Sequence, residues 1–341
     1  MDQTTQPVPH IAINNANLDH AVVGGHNISI SSNQQQNNNS TPVSDDLIEE
    51  LIRILRKVIE ELRGEAVLQA GVPCRITKPV PLLITKVRQI LDDEWELHRN
   101  QREDLRSMYT TKGSIQIGEL FDVAKQLAHQ EADKKCNTPE AKAMHVARYS
   151  NIIWVVGLPG VGKSTLLMQI IDCIDVDKSV KPDTQFLFHV PLKNFNPKKK
   201  VSLLEFLLYG NLSEWNRSDK ENKALVHFLH NNPNVVILID GWDELYTKQA
   251  NKRFHACKLD RKQLPEVFVK SLLLGNLLPN AMKVITSRPG QFYELHPDYR
   301  QGLVSEVRGI NTLAKKDLTK QICGEANLEN VEKLLAERPK K

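Results

Sequence analysis

Residues 152–165 read Ile152-Ile153-Trp154-Val155-Val156 and then Gly157-Leu158-Pro159-Gly160-Val161-Gly162-Lys163-Ser164-Thr165. The first five form a continuous apolar run of strand length, typical of a parallel strand covered on both faces. The next nine match GxxxxGK[ST], and apolar residues at helical spacing follow them at Leu166, Leu167, Ile170 and Ile171. A strand before this pattern and a helix after it are the context that a phosphate-binding loop requires. This stretch therefore predicts an α/β fold.

Each residue type in this loop has a physical reason to bind phosphate. Glycines let the backbone curl so that successive N–H groups point at phosphate oxygens, and the following helix adds its free donors and the positive end of its dipole. Lys163 is expected to reach the β- and γ-phosphates, and Ser164 to give its hydroxyl to Mg²⁺. We predict a P-loop NTPase that binds ATP or ADP with Mg²⁺ through Gly157, Leu158, Pro159, Gly160, Val161, Gly162, Lys163, Ser164 and Thr165.

A second apolar run, Val235 to Ile239, ends in the carboxylate of Asp240, which is the Walker B form. Asp240 is expected at the carboxyl end of its strand, holding Mg²⁺ together with Ser164. A strand candidate over 183–190 lies between the two motifs and favours the additional-strand branch of P-loop proteins. With two later candidates, near 283–287 and 303–307, the chain predicts a five-stranded, mostly parallel sheet flanked by helices.

Two more acids, Asp243 and Glu244, follow Asp240 within four residues. An ATPase that hydrolyses its nucleotide needs one base to orient water. Glu244 is predicted to be that base, with Asp243 as a supporting or substitute base.

The third motif is a short strand candidate that runs from Lys283 and ends in Arg288, with Pro289 after it. An arginine at the carboxyl end of a strand in an open α/β sheet lies over the nucleotide crevice. Its charge can report the γ-phosphate and stabilise the charge in transfer. We therefore add Arg288 to the predicted catalytic residues.

Two of these motifs resemble those of one family. Leu238-Ile239-Asp240-Gly241-Trp242-Asp243-Glu244 closely resembles the extended Walker B motif of NACHT proteins, and Thr286-Ser287-Arg288-Pro289 resembles their sensor 1. The whole set, from about Asn151 to Ile310, looks like the nucleotide-binding domain of these STAND-class ATPases, which include the NOD-like receptors. The resemblance implies a signalling switch in innate-immune or cell-death-like pathways. ATP/ADP state and slow hydrolysis would control its self-association.

Two other functions stay open at this stage. One is an AAA+-like turnover ATPase whose hydrolysis drives work on a partner, and the other is a nucleotide-binding scaffold that does not switch. The crowded acids Asp243 and Glu244, and the lack of a recognisable second-region arginine motif, favour the switch.

The chain divides into five predicted segments: a disordered Asn/Gln-rich tail (1–43), a helical N-terminal region (44–137), a linker (138–150), the nucleotide-binding domain (151–310) and the start of an incomplete helical domain (311–341). Three helices are predicted in the second segment: one capped by Ser44 and stopped at Gly64, one after Pro81, and one over 120–135. They form either a collar for the next domain or a bundle that binds a helical adaptor. Because the chain stops at Lys341, the winged-helix module and sensor repeats of the resembled family are expected to be missing, as in a fragment, a truncated gene model or a natural short form.

Composition and charge bear on whether the protein binds nucleic acid, spans a membrane or is secreted. The 341 residues carry a net charge of +4, which by itself indicates neither nucleic acid nor membrane. The lysines at 193 and 198–200 have no aromatic interleaving, so we expect a solvated loop and no nucleic-acid partner. No run approaches the roughly 18 apolar residues of a membrane span, and the amino terminus lacks a signal-peptide pattern. We therefore expect a cytoplasmic protein.

Overall fold

The structure is a computed structural model that describes residues 43–69, 84–86, 114–209, 215, 217–245, 259 and 261–309. The strands are β1 Ile84–Lys86, β2 Ser114–Ile115, β3 Ile152–Val156, β4 Phe186–Pro191, β5 Val235–Asp240, β6 Met282–Ser287 and β7 Leu303–Val307. The helices are α1 Asp45–Gln69, α2 Leu120–Lys135, α3 Pro139–Tyr149, α4 Lys163–Asp175, α5 Leu203–Leu207, α6 Asp219–Asn231, α7 Trp242–Leu245, α8 Pro265–Leu273 and α9 Pro289–Tyr293. Single 3₁₀ turns lie at Ile117–Glu119, Leu192–Asn194 and Pro297–Tyr299.

These strands form one sheet in the order β2-β1-β7-β3-β6-β5-β4. The five strands from β7 to β4 are parallel, which confirms the predicted five-stranded parallel sheet. β3 and β6 are buried along their whole length, as continuous apolar strands between two helical layers should be. β6 lies between the P-loop strand β3 and the Walker B strand β5, which is the arrangement of the additional-strand branch. The strand predicted over 183–190 is β4 (Phe186–Pro191), and it lies at the edge of the sheet beside β5 rather than between the two motif strands.

Two helical layers cover the faces of the sheet. On one face, α2 and α4 pack with side chains such as Phe121, Leu166 and Ile170 against β3 and β5. On the other face, α5, α6, α8 and α9 contribute buried side chains to the core that contains Trp154 of β3. The indole N–H of Trp154 donates to the carbonyl of Tyr299 at 3.2 Å, so this large buried ring leaves no polar atom unpaired. The two helical layers therefore bury both faces of the parallel strands, and the carboxyl ends of those strands form one edge of the sheet.

Helix α1 packs beside the edge strand β4 and reaches both layers. Leu51 and Ile54 are buried in the core that contains Trp154, whereas Ile59 is buried in the core that contains α4. Arg63 donates to Asp172 at 2.9 Å and to Asp175 at 3.1 Å, both in the last turns of α4. α1 is therefore part of the folded domain, which favours the collar over a free effector segment for this helix.

The predicted end of α1 at Gly64 is wrong, because the helix continues to Gln69. An added Cβ at Gly64 would meet nothing within 4 Å, so the glycine sits in the helix without a tertiary reason. A glycine inside a helix costs about 1 kcal/mol relative to alanine, a small cost that good helix formers such as Glu65, Ala66 and Leu68 can offset.

The helix predicted after Pro81 is wrong for residues 84–86, which form strand β1. β1 pairs antiparallel with β7 and with β2, so the sheet gains two short strands that the sequence did not predict. Ile84 and Thr85 are β-branched, which favours an extended backbone. The remainder of that predicted helix, residues 1–42 of the predicted tail (1–43) and the segment 311–341 lie outside the described residues.

Two more predicted segments precede β3: a helix over 120–135 and a linker over 138–150. The helix predicted over 120–135 is confirmed as α2. The stretch 138–150, predicted as a linker, contains helix α3. Thr138 caps that helix by accepting from the N–H of Ala141 at 3.2 Å, and Pro139 occupies its first turn. None of the helices in the described ranges is long and apolar enough to cross a membrane.

Candidate functional site

The candidate site lies where the carboxyl ends of β3, β5 and β6 meet at one edge of the sheet. The P-loop leaves β3, Asp240 ends β5, and Arg288 follows β6 directly. The N–H of Gly157 donates to the carbonyl of Ser287 at 3.2 Å, which ties the first loop residue to the end of β6. The fold therefore brings together three motifs that are far apart in the sequence.

Glycines give the loop its backbone path. Gly160 and Gly162 have φ angles of 74° and 102°, a region that other residues rarely adopt. Gly157 is required for a different reason, because a Cβ there would lie 2.8 Å from Val161 Cγ2 and 2.9 Å from the carbonyl oxygen of Val307. A Cβ at Gly160 would meet nothing within 4 Å, so that residue faces open space, as a loop that receives a ligand should.

Lys163 is the first residue of α4, and its side chain folds back under the loop. Its Nζ donates to the carbonyls of Gly157 at 2.9 Å and Leu158 at 3.0 Å. Burial lowers the pKa of Lys163, while the charges of Asp243 and Asp240 oppose that shift. An anion bound in the loop would stabilise the protonated form further, because an opposite charge nearby raises an amine pKa. The ammonium is therefore placed to meet phosphate.

Asp240 has both carboxylate oxygens bound by hydroxyls. Ser164 Oγ donates to Oδ2 at 2.8 Å, and Thr286 Oγ1 donates to Oδ1 at 2.6 Å. The N–H of Gly241 in turn donates to Thr286 Oγ1 at 2.7 Å. A hydroxyl and a carboxylate side by side are the oxygen ligands that Mg²⁺ prefers.

This donor set fits Mg²⁺ bound together with a nucleotide better than a metal held by protein alone. Across the described part of the chain, no group of three or more His, Cys, Asp or Glu side chains could hold a metal ion. Mg²⁺ usually binds through one or two carboxylates plus substrate phosphates rather than in an all-protein cage. Ser164 and Asp240 supply that smaller set.

Asp243 and Arg288 form a two-point contact next to this pair. Arg288 Nε lies 2.7 Å from Asp243 Oδ2, and the backbone N–H of Arg288 donates to Asp243 Oδ1 at 3.2 Å. The Asp243 side chain is only 8 % exposed, whereas Glu244 and Arg288 are each 48 % exposed. Because Arg288 engages both oxygens of Asp243, the geometry favours Glu244 as the acid that can contact water.

Sequence reasoning missed two residues at this edge. Thr286 had no role of its own within the sensor motif, although it contacts Asp240 directly. His189 of β4 is partly buried; burial lowers its pKa, and Asp240 opposes the shift. His189 carries a detectable signal, because it is the one polar side chain in β4, whereas Thr286 does not stand out, because β6 also contains Lys283 and Ser287.

The model of the NACHT domain family matches residues 151–325. This match continues past the predicted domain boundary at residue 310.

Curated relatives match a similar part of the chain. The protein is 27% identical over 156 residues to human NACHT, LRR and PYD domains-containing protein 5, a match that covers 46% of this chain and 12% of that relative. It is 29% identical over 146 residues to Bos taurus nucleotide-binding oligomerization domain-containing protein 2, covering 42% of this chain and 14% of that relative. The chain thus matches a small fraction of each relative's length.

A solved E. coli MS115-1 HORMA:CdnC:Trip13 complex contains a chain that aligns over 76% of this one and 82% of its own length, at 14% identity and a TM-score of 0.35.

Proposed function

Because the chain belongs to the NACHT domain family, we propose that it binds ATP and ADP with Mg²⁺ at its P-loop and acts as a signalling switch. In this proposal the bound nucleotide and its slow hydrolysis control self-assembly, in a pathway of the innate-immune or cell-death type. The observation that carries the proposal is the 2.8 Å contact between Ser164 Oγ and Asp240 Oδ2, residues 76 positions apart. The contact joins the two motifs that a nucleotide-bound Mg²⁺ requires.

The binding step is assigned to the P-loop and the two magnesium ligands. Backbone N–H groups of the loop and the ammonium of Lys163 bind the phosphates. Ser164 and Asp240 would hold Mg²⁺, which neutralises charge on the β- and γ-phosphates when bound. The open space at Gly160 lets the phosphate chain approach the loop backbone.

Hydrolysis is assigned to Glu244, and nucleotide sensing to Arg288. Glu244 is half exposed and would orient the attacking water as a general base. Arg288 would contact the γ-phosphate. Its ion pair with Asp243 sets the position of the guanidinium in the absence of nucleotide. The γ-phosphate is the group that ATP has and ADP lacks. An arginine that contacts it therefore gives the two nucleotides different binding free energies, which a two-state switch needs.

Self-association is the partner interaction that we propose for the domain. The name of the Bos taurus relative joins nucleotide binding with oligomerization, and residues of this chain match part of it. A helical adaptor at the N-terminal region stays a prediction. Burial of α1 against both layers of the sheet leaves less of that helix available for such a partner.

Nucleotide binding is tested by Lys163→Ala, with Lys199→Ala as the matched control because Lys199 is an exposed lysine in a loop. We expect titration calorimetry to show ATP and ADP binding for the wild type and for Lys199→Ala, and a loss of at least tenfold in affinity for Lys163→Ala. The reason is that the phosphate charge goes unmatched in a partly desolvated loop. Equal affinity in the two variants would contradict the P-loop assignment.

A further inference from the structure

We propose that Thr286 is a positioning residue, which holds Asp240 in the orientation that Mg²⁺ binding requires. The inference rests on the proposed nucleotide-binding function and concerns how its metal ligand is held. Thr286 is fully buried near the carboxyl end of β6, and Asp240 ends the neighbouring strand β5. The register of these strands pairs Ile239 with Ile285, so Thr286 lies level with Asp240.

The hydroxyl of Thr286 is committed at both its donor and its acceptor side. It donates to Asp240 Oδ1 at 2.6 Å and accepts from the N–H of Gly241 at 2.7 Å. A bond of this length to an ionised carboxylate is in the strong, charge-assisted class. Threonine also has few χ1 rotamers because it is β-branched, so its hydroxyl stays where the strand puts it.

Asp240 needs such a partner because its carboxylate can adopt a wide range of χ2 angles. The χ2 angle of an aspartate has no narrow staggered wells, so the carboxylate can turn freely about its bond. With Oδ1 bound to Thr286, the other oxygen is directed to Ser164 Oγ, 2.8 Å away. The two magnesium ligands are therefore oriented toward each other by a residue that would not touch the metal.

The same hydroxyl also fixes the turn that follows Asp240. Gly241 has a φ of 84°, and its carbonyl accepts from the N–H of Glu244 at 2.9 Å. The bond from Gly241 N–H to Thr286 thus connects the magnesium carboxylate with the first residues of α7, which include the predicted base. One buried hydroxyl orders both parts of the motif.

The test compares Thr286→Val, which keeps the shape and removes the hydroxyl, with Thr286→Ser, which keeps the hydroxyl. The readout is the affinity of the 341-residue chain for a fluorescent non-hydrolysable ATP analogue, measured over a Mg²⁺ titration and in EDTA. Loss of a residue that orients a metal ligand typically costs 10–100-fold in metal affinity. For Thr286→Val we expect the Mg²⁺ midpoint to rise by roughly tenfold or more and the affinity in EDTA to stay unchanged. Thr286→Ser should shift the Mg²⁺ midpoint much less than Thr286→Val, because it keeps the hydroxyl and loses only the β-branch.

Ser305→Ala controls for a general effect of losing a buried hydroxyl. Ser305 is also fully buried, in β7, and donates to the carbonyl of Trp154 at 2.8 Å. That variant should lower the thermal midpoint without moving the Mg²⁺ midpoint, because its hydroxyl serves the sheet and not Asp240. If Thr286→Val does not accumulate as folded protein, Thr286→Cys, with its weaker S–H donor, should give an intermediate shift of the Mg²⁺ midpoint.

Three outcomes would overturn the inference. An unchanged Mg²⁺ midpoint in a folded Thr286→Val or Thr286→Cys variant would reduce Thr286 to a structural role and leave the proposed function intact. A wild type that binds the analogue equally well with and without Mg²⁺ would remove the inference together with the metal assignment. A wild type that does not bind the analogue under either condition would remove the proposed function itself.

Discussion

Lys283→Met should stabilise the protein, and it should do so most at low pH. Lys283 lies in β6, three residues before Thr286, and is fully buried. Its Nζ donates to the carbonyl of Pro279 at 3.1 Å, and burial lowers its pKa from 10.5 to about 7. The strand that carries the site residues therefore contains a buried lysine whose ammonium, within the described part of the chain, donates to one neutral carbonyl.

The size of the expected stabilisation follows from the difference between the folded and unfolded pKa values of Lys283. One pKa unit corresponds to about 1.4 kcal/mol, so the shift of Lys283 represents about 5 kcal/mol lost when the charged form is buried. Methionine is similar in length and carries no charge to desolvate. It leaves the carbonyl of Pro279 without this donor, which costs about 1–3 kcal/mol. We therefore expect Lys283→Met to raise the free energy of unfolding by about 2–4 kcal/mol below pH 7.

The sign of the pH dependence is set by which state binds more protons. Between about pH 7 and 10.5, Lys283 is neutral in the folded protein and still protonated in the unfolded chain. The unfolded state binds more protons there, so the stability of the wild type rises with pH through this window. The advantage of Lys283→Met should be full below pH 7 and shrink steadily as the pH increases toward 10.5.

Urea unfolding at pH 6 and pH 9 measures both effects, with Lys199→Met as the control because Lys199 is exposed. The control should change stability little and equally at the two pH values. A Lys283→Met variant that is less stable than the wild type at pH 6, or equally stabilised at both pH values, would refute the reasoning. In either case the lysine would not be the buried, destabilising cation that the packing of β6 indicates.

Two further predictions concern the site. Glu244→Gln should keep ATP affinity while lowering steady-state turnover by about 10²–10⁴-fold, because a general base contributes that much; weaker binding in Glu244→Gln but not in Asp240→Asn would mean that the metal ligand and the base are exchanged. Gly157→Ala should lose nucleotide binding and thermal stability, because its Cβ would lie 2.8 Å from Val161 Cγ2. Gly290→Ala, where an added Cβ meets nothing within 4 Å, is the matched control in binding and melting experiments. Equal behaviour of the two glycine variants would contradict the loop packing.

The parallel sheet and the P-loop could be predicted because their signals are local. Strands such as 152–156 and 235–239 are buried on both faces, so all their residues are apolar and the run is visible in the sequence. The glycines of the loop follow from backbone angles that other residues avoid. Placing Asp240 beside Ser164 then needed only the rule that the carboxyl ends of parallel strands meet at one edge.

The features that the sequence did not predict depend on distant partners. β1 is three residues long, and its antiparallel pairing with β7 joins positions more than 200 residues apart, so no local periodicity reveals it. The hydroxyl of Thr286 reaches Asp240 through the register of β5 and β6, which the motif itself does not encode. Likewise, only the folded geometry pairs Asp243 with Arg288 and leaves Glu244 more exposed.

The most direct test of the central claim is to measure bound nucleotide and molar mass in the purified 341-residue chain. Nucleotide would be extracted under denaturing conditions and identified by chromatography, and light scattering would follow the mass after ATP and Mg²⁺ are added. We predict retained ADP or ATP, and an increase in mass that requires ATP with Mg²⁺ and is absent in Lys163→Ala. A chain that carries no nucleotide and binds none when it is supplied would contradict the account.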